Sequence, residues 1–102
     1  MEKVIKLLNS EKQQLTNQIS RFIDEVKKGK ETIKTLRTPG FIEQNKDREC
    51  WSEDWTIQDY IELNLNATNR SVENYSKRIA EKKEYLSQID EALKILKGAN
   101  ND

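Results

Sequence analysis

The chain has 102 residues, room for one small domain, with 34% hydrophobic and 35% charged side chains. It is poorer in apolar residues and richer in charge than an ordinary globular chain, which excludes a large single core. Eighteen basic and eighteen acidic residues cancel, so the broad positive field of a protein that grips a phosphate backbone is missing, and nucleic acid is not the expected partner.

Ala, Glu, Lys, Leu and Arg supply 43 of the 102 residues, against three Gly and one Pro. That balance favours long helices and excludes an all-β sandwich. With no His and a single cysteine, Cys50, there is no material for a His general base, a Cys and His zinc site or an intramolecular disulfide. No metal or cofactor is expected. Cys50 lies in an acidic stretch beside Glu49, a setting that speaks against a catalytic nucleophile. Glu53 with Asp54, and Asp90 with Glu91, are adjacent along a helix and diverge, so they form no acid and base pair. The sequence therefore predicts a protein that is not an enzyme.

The N-terminus, MEKVIKLLNSEKQQ, has too few apolar residues for a signal-peptide core. No apolar run approaches the ~20 residues that span a bilayer. A cytoplasmic location, with no membrane partner, is the expectation. From Ile5, alternating steps of three and four residues pick out Ile5, Leu8, Lys12, Leu15, Ile19, Phe22, Val26, Gly29, Ile33 and Leu36. This is a heptad repeat broken only at Lys12 and Gly29, and it predicts a helix over about residues 2–37. In its last turns Lys27, Lys28, Lys30, Lys34 and Arg37 meet the negative end of the helix dipole, a capping and solvating role.

Thr38, Pro39 and Gly40 stop that helix, because Pro39 disfavours a helical Thr38 and Gly40 accepts a left-handed conformation. A joint over about residues 38–55 follows. The second helix is expected to start near Ser52 or Thr56, the latter with Asp59 three residues on as an imperfect capping box. From Ile61 the same count gives Leu65, Thr68, Val72, Tyr75, Ile79, Lys82, Leu86, Ile89, Leu93 and Leu96, a second seam that runs to about residue 97 and is closed by Gly98. On this helix Glu73 with Lys77 offers i to i+4 support and nothing more.

The expected fold is all-α, one domain over residues 1–102 in which two long antiparallel helices form a coiled-coil hairpin. The register follows from the two seam lysines. Facing Lys12 with Lys82 would set two ammonium groups together in a partly dry seam. Setting Lys12 against Ile89, and Ile19 against Lys82, lets each lysine run its stem over apolar surface. That second alignment is preferred; it places Leu36 opposite Leu65 and requires the joint to fold back over the start of the second helix.

Two features point to function. In the joint, Phe41, Trp51, Trp55 and Tyr60 lie among acids that include Asp54, and residues 41–62 hold two bases against seven acids. Aromatic anchors ringed by charge suit a protein partner with a basic rim, so Phe41, Trp51, Asp54, Trp55 and Tyr60 are the candidate partner-binding residues. The competing reading is a satellite core that merely clamps the joint. At the open end, Val4, Leu7, Tyr85, Ala92 and Ile95 lie off the seams and widen the apolar stripe beyond what one helix can cover. They are the candidate self-association residues, joining hairpins into a homodimer or larger helical bundle.

The function predicted is a non-enzymatic protein-interaction module: adaptor, chaperone or inhibitor. An alternative is a sequestering protein that binds a nucleotide or other small anion through Lys12, Lys82 or the Lys27 to Arg37 cluster. In size and in its plan of helix, joint and helix, the chain is also similar in shape to the small secreted WXG100 hairpins. In that family a Trp-x-Gly turn joins the helices, whereas here Trp51 precedes Ser52 and Glu53, Trp55 precedes Thr56 and Ile57, and Gly40 comes before both tryptophans. The resemblance implies an exported hairpin and carries over no functional residue. Abundant Lys, Asn, Ile and Glu suit an AT-rich bacterial or phage genome.

Overall fold

The computed structural model describes residues 1–100. Among these residues the chain is all-α: α1 runs Glu2–Arg37, α2 Pro39–Asn45 and α3 Ile57–Asn100. The two long helices form the antiparallel hairpin, and every position of both heptad seams, from Ile5 to Leu36 and from Ile61 to Leu96, is buried or half-buried. No described helix is long and apolar enough to cross a membrane.

Two compact units are present, one made of Met1–Asp24 with the chain from Ser76 onward, the other of Glu25–Tyr75. In the first, Leu15, Ile89 and Leu93 form the buried core, flanked by Ile5, Leu8 and Leu86. Its seam lysines both find partners. The Lys12 ammonium lies 2.6 Å from an Asp90 carboxylate oxygen. Lys82 places its ammonium 5.8 Å from the centre of the Phe22 ring, a distance at which the π face attracts a cation. As the α1 partner moves from 12 to 22, the α3 partner moves from 90 to 82, which is antiparallel pairing in the register that keeps the lysines apart. Both lysines stay part-exposed, so each contact is worth ~1 kcal/mol or less and serves alignment more than stability.

In the second unit Gly29 faces α3 so closely that a Cβ added there would sit 2.5 Å from Val72 Cγ2. The gap in the first heptad pattern is thus a hole that Val72 fills, and it belongs to the same register. At the end of α1 the hydroxyls of Thr35 and Thr38 donate to the Glu31 and Lys34 carbonyls at 3.0 and 2.8 Å; the Lys34 carbonyl is one that the helix end leaves free.

Two glycines depart from expectation. Thr38 is extended (φ −73°, ψ 128°), as Pro39 demands, but Pro39 then opens α2 at its first position, and no glycine has positive φ. Gly40 is therefore helical rather than left-handed, because a proline at the first helical position needs no N–H partner and starts a new turn at once. Gly98 does not close α3, which runs on to Asn100; a glycine permits a left-handed cap without requiring one.

The start of α3 is settled at Thr56. The Thr56 N–H and hydroxyl donate to Asp59 Oδ2 at 2.9 and 3.0 Å, and the Asp59 N–H donates to Thr56 Oγ1 at 3.2 Å. Ser52 instead closes the turn before it, its N–H donating to the Trp55 carbonyl at 2.8 Å and its Oγ accepting from the Trp55 N–H at 3.1 Å. The Thr56 hydrogen bonds hold the Asp59 carboxyl below its usual range. A carboxylate whose folded pKa is depressed adds stability above its unfolded pKa and loses it as pH falls through the folded value. Thr56→Ala, which removes the hydroxyl that caps the Asp59 N–H, is expected to cost about 1 kcal/mol. Asp59→Asn should raise amide exchange in the first turn of α3 at neutral pH, with wild type converging on it once the medium is more acidic than the ordinary carboxylate range.

Candidate functional site

The 11 residues from Lys46 to Thr56 that join α2 to α3 carry four acids, Asp47, Glu49, Glu53 and Asp54, and both tryptophans. Tyr60, in the first turns of α3, gathers part of this segment. Its ring stacks on Phe41 of α2 (centroids 6.3 Å apart, planes at 12°) and meets Trp51 edge-on (5.5 Å, 62°). The Trp51 indole N–H donates to the carbonyl of Asn45 at the end of α2, and the Asn45 side-chain amide donates to the Phe41 carbonyl at 2.7 Å. Phe41, Trp51 and Tyr60 are each half-buried. These three rings, a polar handle and a T-shaped contact clamp the joint onto α3.

Asp54 and Trp55 point elsewhere. The turn closed by Ser52 fixes the Trp55 backbone, and the residue remains 39% exposed. It borders a shallow depression on α3 lined by Asp54, Asp59, Glu62, Leu63 and Asn66. Leu63, at 57% exposure, is the other apolar group of this surface. Four of the six lining residues are thus an acid or an amide-bearing side chain around two apolar anchors: carboxylates at 54, 59 and 62, and Asn66. Of the five candidate partner-binding residues, the structure brings Phe41, Trp51 and Tyr60 together in the clamp and puts Asp54 and Trp55 on the outer face. Leu63 and Asn66 were missed by the sequence reading. Leu63 lies off the heptad seam, and a lone leucine on a polar helix face carries no special weight by itself.

At the open end, Val4, Leu7, Tyr85 and Ile95 are exposed and Ala92 is half-buried. On the opposite side of the same unit a groove is lined by Asn9, Lys12, Asp90, Leu93, Lys94 and Lys97. Its three lysines are the nearest approach to an anion site, yet Lys12 is already neutralised by Asp90. Cys50 is exposed. No group of three His, Cys, Asp or Glu converges on a possible metal position among the described residues. Comparison with protein-family models, with curated proteins and with solved structures found no match to this chain.

Proposed function

We propose that the chain is a non-enzymatic protein-interaction module, an adaptor, chaperone or inhibitor, that meets its partner through the Trp55 and Leu63 surface of the second unit. The observation that carries this reading is an exposed tryptophan on a pinned turn, beside an exposed leucine, within a ring of carboxylates. A fixed backbone lowers the entropy lost when the indole is captured. Tryptophan is the residue type that most often dominates an interface once desolvated, and the acids around it steer a basic-rimmed partner into place without being buried themselves. The clamp formed by Phe41, Trp51 and Tyr60 holds this surface from behind and is spared from contacting the partner.

The test places a photo-crosslinking residue at Gln58 of the full chain, identifies the adduct in cells that express it, and measures affinity for the purified partner. Trp55→Ala is expected to weaken binding by roughly 30-fold, the equivalent of ~2 kcal/mol. Association should slow as salt is raised. An affinity unchanged by Trp55→Ala, or the absence of any specific adduct, overturns the reading.

A further inference from the structure

We infer that the first unit carries a homodimer surface on one flank of its two helices, and that its occupant is a second copy of this chain related by a twofold axis running along the helices. The surface deepens the self-association expected of the module above and uses no residue of the Trp55 patch, so the two readings can fail independently.

The flank follows from the heptads. Taking Ile5 as position a and Leu8 as d puts Val4, Glu11 and Gln18 at g, and Leu7, Gln14 and Arg21 at c. With Leu86 as a and Ile89 as d, α3 has Arg78, Tyr85 and Ala92 at g, and Glu81, Gln88 and Ile95 at c. In an antiparallel pair the g positions of both helices share one side of the seam, so these two sets form one face. Leu7 and Ile95 are 70% and 68% exposed, and Val4 and Tyr85 about half. In a chain that is 35% charged, the end of this face formed by Val4, Leu7, Ala92 and Ile95 holds no charge. Of the lysines of that end, Lys6, Lys94 and Lys97 fall at b and e on the opposite side and Lys3 at the outward f position.

Order along the face selects the occupant. A twofold axis along the helices sets α1 of one copy antiparallel to α3 of the other, at the levels that already pair within each chain. Position c of α1 then meets position c of α3: Leu7 faces Ile95 of the second copy, Gln14 faces Gln88, and Arg21 faces Glu81. Apolar meets apolar, amide meets amide, and the charges are opposite. A twofold axis across the helices at mid-flank would instead set Leu7 and Ile95 against Arg21 and Glu81. Neither Arg21 nor Glu81 has an ion-pair partner within the chain among the described residues. Glu11, the charge that the g row places nearest the apolar end, lies level with Ala92 of the second copy, and Tyr85 lies level with Gln18, whose amide oxygen can accept from its hydroxyl.

Size and need agree. About 23 residues of each helix span ~35 Å, and two helices side by side are ~20 Å wide, giving roughly 700 Å² per copy and about 1,400 Å² in all, within the range of stable interfaces. No side chain among the described residues is completely buried in the single chain, and a second hairpin supplies the missing core.

Sedimentation of the full chain at ~10 µM, a concentration that populates a micromolar dimer, is expected to give twice the 12.0 kDa chain mass. Arg21→Glu and Glu81→Arg should each weaken the dimer about tenfold through two like-charge contacts, and the double exchange should restore it. In a Cys50→Ser background, oxidising a mixture of Leu7→Cys and Ile95→Cys chains should yield a cross-linked heterodimer, while neither chain alone does so. All positions changed on the interface are exposed in the single chain, and unchanged helical circular dichroism confirms that each variant folds. A monomer at this concentration, a trimer or larger mass, failure of the double exchange to restore association, or efficient cross-linking of Leu7→Cys alone overturns the proposal.

Discussion

Leu93→Ala is expected to lower the unfolding free energy by about 3 kcal/mol, read as a fall in the urea midpoint with an unchanged slope. Leu93 is only 4% exposed and packs with Leu15 and Ile89 in the buried cluster of the first unit. The removed methyl and methylene groups leave a void that two stiff helices cannot close. A domain this small holds only ~5–10 kcal/mol in total, so the loss takes a third or more of it. Leu63→Ala, at an exposed position, should change stability by no more than about 0.5 kcal/mol. Equal costs at the two positions would mean that the seam does not lie where the heptads place it. Both measurements belong at one fixed chain concentration, since association raises apparent stability by mass action.

Gly29→Ala should destabilise the second unit, against the usual direction for a glycine inside a helix. Alanine is favoured over glycine there by ~1 kcal/mol. Here the new Cβ would lie 2.5 Å from Val72 Cγ2, and a β-branched side chain in a helix is nearly confined to one rotamer and cannot swing away. Overpacking of this kind costs ~1–3 kcal/mol, so the net expected loss is about 1 kcal/mol. Val72→Ala alone opens a void and is also destabilising. The two changes together should recover most of the loss, giving a favourable coupling of at least ~1 kcal/mol in a double-mutant cycle. Strict additivity would show that the helices do not approach at this point.

The helices were legible in the sequence because each seam recurs over five heptads, so that isolated breaks do not erase the period. The alignment was legible for a different reason: Lys12 and Lys82 repel each other in the rival register. Their actual partners are displaced from the facing residues, Asp90 by one residue from Ile89 and the Phe22 ring by one seam position from Ile19, a displacement that facing positions alone do not give. Gly29 looked like a defect because the volume that fills its hole belongs to Val72, more than forty residues away. Gly40 and Gly98 were misread for the converse reason, since glycine allows a left-handed turn but does not enforce it. At the site, the sequence supplied the cluster of rings and acids but not its division. Which ring turns inward depends on the Ser52 to Trp55 turn and on the reach of the Trp51 indole to Asn45, both products of local backbone geometry. Trp55 and Asp54 were on the candidate roster, while Leu63 was invisible until its neighbours on the helix face were known.

The hole at Gly29 also bears on how the chain finds its native alignment. Repeating seams are nearly self-similar under a slide of seven residues, which invites misaligned zippering as the helices first collide. Slipped by one heptad, Gly29 would face Leu65, Val72 would be thrust against Phe22, and Lys12 would return to Lys82. Only one alignment lets the bulky and the missing side chain fit together, so wrong starts are shallow and reversible rather than traps. A residue whose side chain is a single hydrogen atom thus works as a detent, stopping the two helices at one position among several that the greasy stripes alone would tolerate.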